Sequence, residues 1–353
     1  MASLILTPGD PTGIGPEIAV KALSRLGEFP NTQLIVVGSR KALAKEAAAL
    51  RLPLPENDFV RYQDIDGDAP GTIAYRALDV AVRMIAHGEA RALVTGPISK
   101  RNLAAAGHDF PGHTEILENL ANKYFERPIQ ETEAHGEDTP SPAKTKDLIA
   151  SNDAIKSKFS LPHRQGGRNT ALHRAEMLFV HKGFRLLLLT RHIPLAEVPA
   201  ALMKSGAVAG PVKTLIAFLR HQLNIEEPHL VMLGVNPHAG EIGGEEEAKV
   251  FAPVIKAVNG IGASRITGPV AADGFFRGFD PANPGCDAVI AAYHDQGLVP
   301  FKLVAGYAAV NMTIGLPFLR TSVSHGTAED IAGLGLAKED SLIAALHAAR
   351  ESL

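Results

Sequence analysis

The chain has 353 residues, 46% of them apolar and 21% charged, with mean hydropathy near zero, the composition of an ordinary water-soluble globular protein. The net charge of −3 leaves no basic footprint for nucleic acid, and no dense Lys/Arg patch breaks the sequence. The single cysteine, Cys286, excludes an internal disulfide framework and a multi-cysteine zinc site, which fits a reducing cytoplasm.

The N-terminal stretch M-A-S-L-I-L-T-P-G-D enters an apolar strand pattern without a basic leader. No apolar run reaches the ~18 residues of a membrane span. A cytoplasmic protein, neither exported nor membrane-bound, is expected. The length suggests two domains or one elaborated unit.

Short apolar runs bounded by Gly or Pro alternate with segments of helical periodicity, the signature of an α/β protein. In chain order, Leu4–Leu6 reads as a strand, followed by T-P-G-D-P-T-G-I-G-P and a helix from about Glu17 to Leu26. Leu34–Val37 and Arg40–Leu50 repeat the unit, Thr72–His87 is helical, and Ala92–Thr95 is a strand that ends on G-P-I-S-K. Further strands are expected at 185–190, 229–235, 287–292 and 308–314. Helices are expected near 195–204, 211–223, 245–258, 327–333 and 338–351. Residues 127–170 are too polar to bury a helix or strand face and read as a solvated insertion, with a lid over a site as the functional alternative.

Three apolar runs end alike. F-R-L-L-L-L-T-R-H reaches His192, H-L-V-M-L-G-V-N-P-H reaches His238, and D-A-V-I-A-A-Y-H reaches His294. Ligands in open α/β sheets sit beyond the carboxyl ends of strands, so these three side chains can converge, within one chain or across two. Three neutral imidazoles with an open fourth position form a catalytic metal arrangement. Any one of them alone is as well read as a satisfied loop or core residue, and His87, His108 and His229 lack such a setting. In N-P-H-A-G-E, Gly240 allows a close backbone approach and Glu241 can support a ligand histidine. Gly297, after His294-Asp295-Gln296, reads as a turn leading towards Lys302.

P-G-H-T-E places His113 and Thr114 at a probable helix start, where free N–H groups suit an anion, although Thr114 can equally be a simple cap. Lys302, Asn311 and Arg320 flank the apolar stretch V-N-M-T-I-G-L-P-F and suit a small substrate carrying carboxylate or phosphate. Neither G-x-G-x-x-G nor G-x-x-x-x-G-K-[ST] occurs, which disfavours an ordinary Rossmann dinucleotide site and an ATP-binding P-loop.

The ordered set T-P-G-D-P-T-G-I-G-P-E, T-G-P-I-S-K, G-H-T-E, T-R-H-I-P-L, N-P-H-A-G-E, Y-H-D-Q-G and N-M-T-I-G-L-P-F-L-R-T-S-V-S-H-G-T-A resembles the 4-hydroxythreonine-4-phosphate dehydrogenase family of vitamin B6 synthesis. The resemblance runs from about residue 4 to 345, excepting 127–170. It implies an isocitrate/isopropylmalate dehydrogenase-like α/β fold of two α/β/α domains with a cleft between them. Residues 1–110 plus 307–353 would form the cofactor side, and 111–306 the metal and dimer side.

The activity it implies is NAD- or NADP-dependent oxidation and decarboxylation of 4-phosphooxy-L-threonine to 3-amino-2-oxopropyl phosphate, a precursor of pyridoxal 5′-phosphate. It also implies one divalent metal per subunit (zinc, magnesium or cobalt) at His192, His238 and His294, and substrate contacts at His113, Thr114, Lys302, Asn311 and Arg320. S-H-G-T-A-E-D-I-A-G resembles a nucleotide loop of the isocitrate dehydrogenases, which puts cofactor contact at Ser324, His325, Gly326, Thr327 and Ala328. A homodimer with the metal site across its interface is implied as well. Lys302, Asp273 and Asp295 are the catalytic candidates.

Arg191 stands just before His192, where many family members carry a small polar residue, and A-A-D-G-F-F departs from the commoner P-A-D form. A paralogue acting on threonate or erythronate 4-phosphate is the nearest alternative. A phosphate-binding acyltransferase or binding protein without nicotinamide is the alternative of another class.

Overall fold

The computed structural model describes residues 2–125 and 174–353, so the polar stretch 127–170 lies outside the described residues. The first half opens with β1 (Ala2–Thr7), α1 (Gly15–Leu23), β2 (Thr32–Gly38) and α2 (Arg40–Leu50). It continues through β3 (Val60–Asp64), α3 (Pro70–Ala86), β4 (Ala92–Thr95), α4 (Lys100–Ala105) and α5 (His113–Phe125). Beyond the gap come β5 (Glu176–His181), β6 (Phe184–Leu188), α6 (Val198–Leu202), α7 (Ala209–His221) and β7 (His229–Leu233). Next are α8 (Ala252–Ile261), β8 (Arg265–Val270), α9 (Ala272–Phe276), β9 (Ala288–Ala291) and α10 (His294–Ala305). β10 (Val310–Ile314), β11 (Leu319–Ser322) and α11 (Asp340–Glu351) close the chain.

The eleven strands of the described residues join one sheet, in the order β3-β2-β1-β4-β11-β10-β5-β6-β9-β7-β8. β1 to β4 and β11 are mutually parallel, as are β6, β9, β7 and β8. Between these sets, β10 is antiparallel to both β11 and β5, and β5 is antiparallel to β6. Strand direction therefore reverses across β10, β5 and β6, a switch point where side chains of the sheet face and loops from both halves can meet.

The near-continuous apolar runs follow from burial on both faces. Leu4, Leu6, Leu34 and Val36 join one core, while Ile5, Ile35 and Val37 join another across the sheet. In the second half, Leu230, Met232 and Ile290 share the first core. Val231, Leu233, Val289 and Ala291 pack with Phe301 of α10 in a third.

Strand expectations at 185–190, 229–235, 287–292 and 308–314 correspond to β6, β7, β9 and β10, each slightly shorter than expected. α2 and β4 have the expected bounds. α1 starts earlier, with Pro16 in its first turn where proline's fixed φ suits a helix, and ends at Leu23.

Two readings need correction. Residues 327–333 form turns rather than a helix, because Ala328 (φ 40°) and Gly333 (φ 76°) leave the helical region. Gly297 is not a turn: β9 stops at Ala291 and α10 starts at His294, with Gly297 buried inside the helix. A Cβ there would stand 2.8 Å from Leu186 Cδ2 and 2.9 Å from Ala291 Cβ, so the glycine lets α10 pack directly on the sheet.

Candidate active site

A pocket of about 390 Å³ lies at the switch point. Its wall takes Met177 and Phe179 from β5, Asn311 from β10 and Arg320 and Ser322 from β11. Strand pairing aligns Phe179 with Asn311 and Asn311 with Ser322. Loops after β4, β6 and β11 and the first turns of α5 and α10 complete it.

Arg320 forms the floor. Only 2% of it is exposed, and among the described residues no carboxylate stands within ion-pair distance of it, Glu115 acting on its charge from further away. Its Nη2 and Nε donate to Thr95 Oγ1 at 2.7 and 3.2 Å, and its Nη1 to Thr313 Oγ1 at 3.0 Å. Hydroxyl dipoles orient the guanidinium without neutralising it, and burial lowers its pKa to about 9. An uncompensated buried cation costs several kcal/mol, roughly, so its place beneath a cavity is that of an anion receptor.

Around it, buried polar atoms await partners. His113 Nε2 and Asn311 Oδ1 lack hydrogen bonds among the described residues, and both side chains line the pocket. Burial, reinforced by the Arg320 charge, drives the His113 pKa well below the ordinary histidine value, so the ring is neutral. Its neighbour Thr114 is buried at the start of α5. Lys302 reaches the pocket from α10, as do Ser324, His325 and Gly326 from the loop after β11.

That loop is fixed to the β1–α1 segment. Ile14 N donates to Thr327 O at 2.9 Å, and Ser341 Oγ accepts from Ser324 N at 3.3 Å. Glu17, fully buried, accepts from Ala337 N at 2.8 Å and pairs with Lys21 at 2.8 Å. Thr327 and Ala328 do not line the pocket; the Thr327 carbonyl instead secures the loop.

His192 and His294 come together at the rim, with ring centroids 5.9 Å apart. Parallel pairing of β6 with β9 explains this, since Leu188 is level with Ala291 and the two loops leave side by side. Asp295 Oδ1 lies 2.6 Å from His294 Nδ1, which favours the proton on that nitrogen and leaves Nε2 as a donor atom for a cation. Gln296 ties the neighbouring strand ends together, accepting from Ala292 N at 2.7 Å and donating to Gly234 O at 2.5 Å.

His238 does not join them. It sits exposed on the 3₁₀ turn Pro237–Gly240, where His238 and Ala239 have φ of 54° and 56°. Asn236 braces this turn, its N–H donating to Glu247 Oε1 at 2.8 Å. Glu247 and Glu246 are the carboxylates that accept from Asn236, and a Cβ on Gly240 would face the Glu247 side chain at 3.1 Å. Among the described residues of one chain, no three His, Cys, Asp or Glu side chains gather as a metal site. Two imidazoles facing one cavity fit a divalent cation that draws its remaining ligands from elsewhere.

Asp273 lies apart from the pocket. With Asp295, Tyr293 and Val299 it lines a shallower hollow of about 410 Å³ on the outer side of α10. Lys100, Glu115, Met177, Phe179 and Arg191 line the pocket although the sequence reading assigned them no contact there. Lys100 had a legible signal, the strand-end motif T-G-P-I-S-K, whereas Met177 and Phe179 look like any strand residues.

The sheet, the switch-point pocket and its polar lining are those of an α/β enzyme that handles a small anion. The family model described as pyridoxal phosphate biosynthetic protein PdxA matches residues 30–131 and 165–349. The 4-hydroxythreonine-4-phosphate dehydrogenase of Synechocystis sp. is 35% identical, with 99% of this chain and 95% of that protein aligned. A crystal structure of 4-hydroxythreonine-4-phosphate dehydrogenase from Klebsiella pneumoniae superposes with a TM-score of 0.75 at 29% identity, covering 99% of both chains. A putative 4-hydroxythreonine-4-phosphate dehydrogenase from Salmonella typhimurium gives 0.76 at 28%, covering 100% of both. The chain belongs to the PdxA family of pyridoxal phosphate biosynthetic proteins, and it is an oxidoreductase.

Proposed function

We infer that the protein oxidises and decarboxylates 4-phosphooxy-L-threonine with NAD or NADP, giving 3-amino-2-oxopropyl phosphate for pyridoxal 5′-phosphate synthesis. The observation that carries this reading, beside family membership, is the buried Arg320 guanidinium beneath a pocket whose His113 and Asn311 polar atoms lack protein partners. A phosphate offers the charge that Arg320 requires and oxygens that accept from Arg320 and His113, while a hydroxyl or amine of the ligand can donate to Asn311 Oδ1.

On this reading Arg320, Thr114, Asn311 and Lys302 hold the anionic groups and fix the hydroxyl-bearing carbon, and neutral His113 contributes one hydrogen bond without adding charge. A nicotinamide, when bound, would supply the hydride acceptor for that carbon; the hydroxyl proton passes to solvent or to a basic side chain, and the keto acid then loses CO2. A proton returns to the carbon left behind. Among the catalytic candidates Lys302 is the one that lines the pocket, while Asp295 positions His294 and Asp273 stays on the outer hollow.

His192 and His294 would hold a zinc, magnesium or cobalt ion, with His238 lent by a second copy of the chain in a homodimer. Such an ion, when bound, lowers the pKa of the substrate hydroxyl and polarises the ketone. Ser324, His325, Gly326, Thr327 and Ala328 form the nicotinamide nucleotide loop in this scheme. Residues 1–110 plus 307–353 make the cofactor side, and 111–306 the metal and dimer side. Among the described residues no helix is long and apolar enough to cross a membrane, and the reading is of a cytoplasmic enzyme without a nucleic-acid partner.

Turnover tests it: purified protein with a divalent metal and NAD or NADP should reduce the nucleotide on addition of 4-phosphooxy-L-threonine. Reduction only with threonate or erythronate 4-phosphate would move the assignment to the sugar-acid paralogue. A protein that shows no nucleotide-dependent thermal shift would move it to the acyltransferase or binding class.

A further inference from the structure

Arg191 has no role in the scheme above, yet it lines both the 390 Å³ pocket and a neighbouring hollow of about 310 Å³ beside His192 and His294. Its nearest acid is Glu176, the first residue of β5, which is 1% exposed. Arg174 Nε stands 2.9 Å from Oε1, an ion-pair distance without hydrogen-bond alignment, while Arg191 Nη2 stands 3.6 Å from Oε2, beyond a hydrogen bond. Arg191 Nη1 is buried without a partner among the described residues.

Glu118 acts on Glu176 as well, so two acids stand with two arginines, yet among the described residues neither acid hydrogen-bonds Arg191, whose guanidinium keeps an edge for the pocket it lines. Burial raises the Glu176 pKa, against the pull of both arginines. The pocket lining is itself cationic, with Lys100, Arg191, Lys302 and Arg320 set against the single acid Glu115. The two arginines occupy different walls. Arg320 rises from β11 beside His113, Thr114 and Asn311, a setting for a tetrahedral phosphate, whereas Arg191 offers one unused guanidinium edge next to His192, a setting for a planar carboxylate.

We propose that Arg191 is a second anion anchor and specificity-determining residue: it receives the substrate's carboxylate while Arg320 receives the phosphate, so the pocket selects small molecules that carry both groups. This rests on reading the pocket as the substrate site. It also places the carboxylate beside the histidine rim, at the reacting end of the molecule.

The test uses two non-reacting probes of equal length, 3-phosphoglycerate and glycerol 3-phosphate, which differ by the carboxylate. Their dissociation constants are measured by calorimetry on the wild type, Arg191→Met and Arg191→Lys. A charge-assisted hydrogen bond predicts that the wild type prefers the carboxylated probe by about tenfold or more. Arg191→Met should reduce that preference to about twofold through loss on 3-phosphoglycerate alone, and Arg191→Lys should lie between, since it keeps the charge without the planar edge.

An unchanged ratio in Arg191→Met, an equal loss on both probes, or a wild type that binds the two alike or not at all would overturn the proposal. Because neither probe needs turnover, its failure is separable from that of the dehydrogenase reading. Probe selectivity without reduction of nicotinamide sinks only the assigned reaction, and reduction without selectivity sinks only the role of Arg191.

Discussion

The floor and the rim of the pocket are built on opposite principles. Arg320, Thr95 and Thr313 are held by strand pairing, buried and hydrogen-bonded within a single chain, so the arginine's placement needs no second copy. His192 stands on the loop after β6 and His294 at the first residue of α10, at exposed and half-exposed positions, with His238 turned elsewhere. Recognition of the phosphate belongs on this account to the fold of one protomer, and completion of the cation site to assembly.

Arg320→Met should break the floor with the largest effect. kcat/KM is expected to fall by about a thousandfold, roughly 4 kcal/mol of lost charge-assisted binding. The free protein should melt no lower, and by up to a few degrees higher, because an unpaired buried cation is removed. Steady-state kinetics beside a melting curve check both, and a large loss of stability would show that the arginine holds the sheet together rather than the ligand.

The rim should fail differently. His294→Ala and His238→Ala are each expected to lose bound metal and turnover while keeping their melting temperature. If His238 comes from the other protomer, co-refolding the two inactive variants should restore activity, because the mixed dimer holds one site with all three histidines. No restoration would place the three ligands in a single chain. Asp295→Asn is a milder form of the same test: loss of the carboxylate that orients His294 should weaken metal affinity by about 10–100-fold.

The smallest effect expected is on stability against pH. The folded pKa of His113 lies well below the ordinary value of 6.5, so the unfolded chain binds the proton more readily. The stabilising contribution is therefore present above pH 6.5 and lost as pH falls below it. Denaturant midpoints between neutral and mildly acidic pH should slope less in His113→Gln than in the wild type. An equal slope would mean that the ring titrates normally.

Much of this was legible in the sequence because apolar runs and their end residues report burial directly. The strand endings at His192 and His294 showed themselves that way, and β6 and β9 prove to be neighbours. The resemblance of the ordered motifs supplied the family. Pairing order and local backbone geometry were not legible. Nothing in V-N-M-T-I-G-L-P-F-L-R shows that Arg320 faces inward onto two threonines, and nothing in N-P-H-A-G-E shows the two consecutive left-handed residues that turn His238 away. Gly297 misled because a glycine after a polar triplet looks like a turn, whereas here it is the contact that seats a helix on Leu186 and Ala291.

The most direct test of the central claim is stoichiometry. Wild-type protein with a divalent metal, NAD or NADP and 4-phosphooxy-L-threonine should release CO2 and form reduced nicotinamide in equal amounts. No reduction of either nucleotide with this substrate, under conditions in which it is bound, would contradict the account.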